Sequence, residues 1–269
     1  MKINEIKTSD LSASGGVVQN SGLNLFKRGA GMIKPVLTLF MVFLLISGLA
    51  ACAGGDKQSR AMAVRQRIGQ SYGVQYFSQI EQIQYTYNVK NGDTQVSRFW
   101  IWEPKPDRVT FDAMDYTDPI TYYRKDLQTN PSNMLKSIDA WFINDNNWFL
   151  FPFHVAMDTR TMVEDVGRKK LPLGDGEAAC VVVTYPAEGA YTSGDVYELF
   201  LDDNFRLTQW IYHRGGSETP TRIATWDDHR YLGPMVFSLN HQGDDGNFRI
   251  WFTQVGVKLA GVDGWMFMD

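Results

Sequence analysis

Cysteine is nearly missing: 269 residues carry two, Cys52 and Cys180. That count excludes a disulfide-stapled scaffold and a cysteine-rich zinc cluster. Histidine is scarce as well, with four residues, at 154, 213, 229 and 241. No two are spaced i, i+4 and no H-E-x-x-H occurs, so a helix-borne zinc pair has no support. A G-x-S-x-G elbow, a phosphate-cradling P-loop and a G-x-G-x-x-G turn are all lacking. Positive charge is in deficit, with 26 Lys and Arg against 30 Asp and Glu. A net charge of −4 argues against a nucleic-acid partner, which is held through its phosphates. Long hydrophobic runs are limited to Val36–Ile46, well short of the roughly 20 residues a membrane span needs. What remains is a globular composition, 44% hydrophobic and 21% charged, with apolar mass enough for a core.

The short run has a context of its own. Met32 and Lys34 precede it, Ser47 and Gly48 follow, and Leu49-Ala50-Ala51-Cys52 closes it. This resembles the lipobox of bacterial lipoproteins, in which the chain is cut before a cysteine that carries a diacylglycerol thioether. The resemblance implies a signal peptide over 32–51, lipidation at Cys52 and a tether over 52–59. Residues 1–31 are polar and do not fit that signal, so they read as an extended n-region or as lying ahead of a true start at Met32. Residue 53 is Ala and not Asp. By the sorting habit of such lipoproteins this implies the outer membrane, facing the periplasm. Stable anchoring comes from more than one acyl chain. With Cys52 lipidated, Cys180 is the single thiol left, inside Ala178–Val183, a β-branched run that suits an inert buried residue.

Beyond the tether, Ala61, Val64, Ile68 and Tyr72 fall on one helical stripe, and Gly73 ends it. A further helical turn fits Val74–Gln79. The period then becomes two: Ile83, Tyr85, Tyr87 and Val89 alternate with polar residues, and Asn91-Gly92-Asp93 supplies a hairpin turn. Strands are expected at 95–102, 108–112, 120–124, 140–144, 179–185, 195–202, 206–213, 222–226, 235–241 and 247–258. Counting the first, that is about eleven strands over 60–269, mostly joined by short turns. The expected fold is mainly β: a single antiparallel, strongly curved open barrel with an N-terminal helix. The apolar stretch Trp148–Phe153 contains Pro152, which excludes a central strand. It reads as a short helical lid or buried turn on the concave side, capped by Asp145 or Asn146.

Aromatic residues carry the main chemical signal. Arg98, Trp100 and Trp102 share one strand face, and Trp210 and Tyr212 share another. Phe99, Ile101, Leu207 and Ile211 make the opposite faces apolar too, so both sides of these strands are expected to be covered. The candidate binding set is Trp100, Trp102, Phe149, Phe151, Trp210 and Tyr212 around an apolar cavity, with Arg98 either meeting a ligand headgroup or lying on a solvated edge. A solidly filled core is the plainer reading of the same residues. Asp227 and His229 are the best metal-like pair, and a solvated strand end explains them as well. No metal site, cofactor or catalytic set is expected.

Arg98–Val109, RFWIWEPKPDRV, resembles the second-strand motif of the Lol-type lipoprotein localisation factors, LolA and LolB, with its "P-x-R" turn. Leu199–Trp210, Ala224–Asp228 and Ile250–Val255 are similar to their later strands. Trp148–His154 resembles a W-x-L-F-P-F-H run in periplasmic proteins of undefined role. The resemblance implies an open half-barrel that holds an acyl chain, a lipid or a lipoprotein, the Phe149–Phe153 run standing as a lid, a plug or a protruding loop. Two other readings remain. One is a tethered structural protein with a filled core that binds an envelope protein. The other, ranked last, is a hydrolase using strand-end acids.

Overall fold

A computed structural model describes residues 59–187 and 194–268. The signal peptide, Cys52 and most of the tether lie outside them. Helix α1, over residues 59–72, buries Val64, Ile68 and Tyr72, the stripe expected from the i, i+4 spacing. It stops at Gly73, whose φ of 78° is left-handed and open to glycine. A 3₁₀ turn, Val74–Gln79, leads into the strands.

The strands are β1 Ile80–Asn91, β2 Thr94–Glu103, β3 Arg108–Asp112, β4 Ile120–Tyr123, β5 Met162–Lys170, β6 Glu177–Thr184, β7 Val196–Leu201, β8 Leu207–His213, β9 Arg222–Thr225, β10 Asp227–Leu232, β11 Met235–Gln242, β12 Phe248–Leu259 and β13 Met266–Phe267. They form two antiparallel sheets where one was expected. The larger runs β10-β11-β12-β1-β2-β3-β4, with β13 also on β12, and the smaller runs β5-β6-β7-β8-β9. The chain crosses from one sheet to the other at Trp226, between β9 and β10. A bridge from Ala224 to Gly243 and a bond from Gln242 N–H to the Thr225 hydroxyl stitch the sheets along that seam. Among the described residues, β4 and β5 are edge strands that do not pair with each other, so no closed barrel forms.

Helix α2, Asn133–Met157, is the main departure from the expected fold. The strand placed at 140–144 and the short lid after it are one 25-residue helix. Its N-cap is Ser132, whose hydroxyl accepts from Leu135 N–H, not Asp145 or Asn146. The misreading has a physical cause. Ala140–Ile143 is an unbroken apolar run, and such a run has no period to separate strand from helix. The later half of the helix, Trp148–Val155, is enclosed on all sides and needs no polar face. Pro152 bars a strand but not a helix; the backbone leaves helical geometry at Leu150 (φ −113°, ψ 16°), two residues ahead of it. Three strands escape the periodicity as well, among them the two-residue β13. β5 exposes eight of its nine residues and β10 is mostly charged and exposed, so neither shows an apolar alternation.

Arg65, on the polar side of α1, ties α2 down at its other end. Its guanidinium donates to the carbonyls of Val155 (2.9 Å), Asp158 and Thr161 (2.7 Å). Carbonyls at a helix C-terminus have no intrahelical donor, and a cation there also meets the negative end of the dipole.

Candidate functional site

The concave side of the two sheets is occupied by α2. Its middle is polar by sequence, Asn144-Asp145-Asn146-Asn147, yet Asp145 and Asn146 are buried. Each side chain meets a group from the walls. Asp145 accepts from Arg98 Nε at 2.6 Å, Arg98 Nη2 at 2.7 Å and Trp100 Nε1 at 2.9 Å. Asn144 lies beside the Tyr87 hydroxyl, Asn146 beside that of Tyr85, and Asn147 beside that of Tyr197. Burial pushes all three phenols far up, so they stay neutral, and the Tyr85 hydroxyl and Asn146 Nδ2 complete no hydrogen bond. The side chain of Asp145 has no exposed area and that of Arg98 is 14% exposed. Burial pushes the Asp145 carboxyl up, against the pull of Arg98. The guanidinium also lies over the rings of Tyr87 (5.1 Å) and Trp141 (5.6 Å). Arg98 therefore sits neither on a solvated edge nor bare in a cavity: its counter-ion is a residue of α2.

One turn further on, the helix becomes aromatic. Phe149 stacks on Phe237 with centroids 5.2 Å apart and lies 4.4 Å from Tyr85, both on the larger sheet. Phe151 meets Trp210 edge-on at 4.8 Å, on the smaller sheet. Trp148 packs at the seam, 4.3 Å from Trp210 and 5.7 Å from His241. Phe153 reaches Phe77, at 5.4 Å, under α1. Phe149, Leu150, Phe151 and Phe153 are at most 2% exposed. The greasy space expected inside the sheet is thus filled by α2.

Pro152 adds a local consequence. Lacking an N–H, it leaves the Trp148 carbonyl without its helical donor. That carbonyl faces His241 on β11. His241 is fully buried, its Nδ1 lies 3.3 Å from the Thr225 carbonyl, and Nε2 completes no hydrogen bond. Burial drives its pKa down to about 3, so the ring is neutral. The indole N–H groups of Trp210 and Trp226, next to it, are also buried without partners.

The structure brings Arg98, Trp100, Phe149, Phe151 and Trp210 together around α2. Trp102 is half-buried at the margin, its indole donating to Asp107 Oδ1 at 3.1 Å. Tyr212 stacks on Tyr197 and donates to Asp195 at 3.0 Å. The opposite faces are less covered than expected: Phe99, Ile101 and Ile211 are only half-buried, whereas Leu207 is fully buried. His229 is engaged structurally, sharing a 2.9 Å hydrogen bond with Tyr72, whose oxygen also accepts from Leu207 N–H. Among the described residues, no three His, Cys, Asp or Glu side chains gather closely enough to hold a metal. None of Asp145, Tyr85, Tyr197, Trp226 and His241 belongs to the binding set expected from the sequence, where Asp145 reads only as a helix cap and Tyr85 only as part of a strand alternation. For Asp145 the available signal is a run of four Asp and Asn, 144–147, beside an aromatic stretch.

No helix among the described residues is long and apolar enough to cross a membrane. No protein-family model matches the chain, and no curated protein matches it significantly. Among solved structures it is similar to a DUF1329 family protein from Desulfovibrio piger, at 8% identity and a TM-score of 0.41, over 77% of this chain and 94% of that one.

Proposed function

We propose that this chain is a lipid-tethered binding protein of the bacterial envelope, facing the periplasm from the outer membrane through Cys52, and that its half-barrel takes up an apolar chain in exchange for α2. The observation that carries this reading is the nature of the contact. The concave walls present rings, namely Trp100, Trp210, Trp226, Phe237 and Phe252, and meet the rings of one helix broken at Leu150. The magnitudes are commensurate. Burying Phe149, Leu150, Phe151 and Phe153 is worth about 6–12 kcal/mol together. An acyl chain of about sixteen carbons recovers about 13 kcal/mol at ~0.8 kcal/mol per CH₂. An acyl chain therefore offsets the loss of those four contacts, and no covalent chemistry is needed.

The tight ring packing favours a second reading, a tethered protein with a permanently filled core whose outer strands bind an envelope protein. Native mass spectrometry of the Cys52→Ser chain after exposure to membrane extract separates the two, together with uptake of a fluorescent apolar probe. Exchange expects retained lipid, and more probe bound by Asp145→Asn, which unpins α2. Neither lipid nor probe in either variant would leave the filled-core reading standing.

A further inference from the structure

Met62, Arg65 and Gly69 are spaced i, i+3 and i+7, on one stripe of α1. That stripe lies along the end of α2. A Cβ on Gly69 would come within 2.8 Å of the Ala156 Cβ, and Arg65 donates to the carbonyls of Val155, Asp158 and Thr161. Met62, one turn nearer the start of α1, continues the line toward Met162. Three methionines are left uncovered at this corner: Met62 is 59% exposed, Met157 42% and Met162 71%. Arg60, in the first turn of α1, is exposed too, and Arg160 is 65% exposed while it pairs with Asp158. Cys52 lies seven residues ahead of Ser59, where α1 begins. Seven residues span at most about 25 Å, whatever their conformation.

We infer that this corner rests on the phospholipid surface in which Cys52 is anchored. The methionine side chains enter the layer between headgroups and acyl chains, and Arg60 and Arg160 meet lipid phosphates. The inference rests on the lipid tether proposed above and adds the face by which the domain lies on its membrane. The position of the anchor selects the occupant, because a membrane holding Cys52 keeps the start of α1, and so this corner, within the reach of seven residues. Met134, exposed at the other end of α2, stands about 35 Å along the helix from Met157, farther than the tether spans. The chemistry agrees. Unbranched thioether side chains adapt to an irregular apolar layer, and a guanidinium matches the phosphate every phospholipid presents. A short tether also sets an effective concentration in the millimolar range, so a contact too weak to hold a free protein is occupied on a tethered one.

The test is oxidation by hydrogen peroxide of the chain expressed with its own N-terminus in a bacterial envelope, purified, and placed one copy per nanodisc of phosphatidylethanolamine and phosphatidylglycerol. Peptide mass spectrometry reads the sulfoxide at each methionine. By exposure alone Met62 and Met162 should oxidise at least as fast as Met134, which is 51% exposed. Contact with the bilayer is expected to slow both at least about threefold below Met134. Rates equal to that of Met134 overturn the inference. Slowing seen only in crowded vesicles, and lost at one copy per disc, assigns the corner to a second copy of the chain and overturns it as well. The mass of the peptide carrying Cys52 separates the two readings. A lipid found there with the methionines unprotected ends this inference alone, and its absence ends the tether reading with it.

Discussion

Replacing Asp145 by Asn tests whether α2 is held where it lies by one buried charge. Asparagine keeps the shape and one acceptor, so the Trp100 indole keeps a partner while Arg98 loses its counter-ion in a site that water barely reaches. Breaking a buried pair from one side costs about 3–5 kcal/mol, because the remaining charge is uncompensated. With one acceptor retained, a loss of about 3 kcal/mol is expected, out of the 5–15 kcal/mol typical of a whole domain. In urea, with a slope near 2–3 kcal/mol per molar, the unfolding midpoint should fall by about 1 M. Tryptophan fluorescence reads it, since Trp100 is itself in the contact. The pair should also respond asymmetrically. Burial pushes the Asp145 carboxyl up in spite of Arg98, whereas the Arg98 guanidinium is held up by Asp145 in spite of burial, so attraction and desolvation pull against each other across the pair. The double variant Arg98→Met, Asp145→Leu should therefore recover to within about 1 kcal/mol of the parent or exceed it. A midpoint moved by less than roughly 0.3 M in the single variant, or a double variant no better than the single, would refute the reasoning.

Other perturbations read other parts of the same packing. His241 binds a proton less readily in the fold than when unfolded, so its contribution is complete above pH 6.5 and is lost as pH falls toward about 3. Stability should drop by about 2–3 kcal/mol between pH 7 and pH 4.5 from this group, and His241→Phe should flatten that part of the urea-measured slope. Phe151→Ala empties space between α2 and Trp210 and should cost about 3–5 kcal/mol by chemical denaturation; a cost below about 1 kcal/mol would mean the helix is not packed as described. Gly73→Ala places a Cβ 2.4 Å from the Pro234 carbonyl oxygen at a φ of 78°, whereas Gly92→Ala, at φ 59°, meets nothing within 4 Å. The melting temperature should fall clearly more for the first, which carries a clash beyond the shared backbone strain of about 1–2 kcal/mol. Burial lifts the Cys180 thiol to about 12, so in the Cys52→Ser chain a thiol reagent should label it only after unfolding.

The sequence by itself determined the elements whose periodicity is one-sided. The stripe Val64–Ile68–Tyr72 with its Gly73 stop is written in α1, the alternation over 83–89 and the Asn91-Gly92 turn give the first hairpin, and 108–112 is bounded by charge and turn residues. Each has one apolar face and one wet face, so local pattern and final burial agree. Only the tertiary structure decided α2. Its stretch Trp148–Phe153 is apolar on every side because two sheets curl about it, and burial all round erases the period that would have marked a helix there. The same enclosure chose the counter-ion of Arg98: strand parity put Arg98 beside Trp100, but its distance in sequence from Asp145 left no local trace of the pair. Whether the concave face is open or filled was likewise fixed by where 25 residues came to rest, a question of volume and contact that no linear pattern encodes.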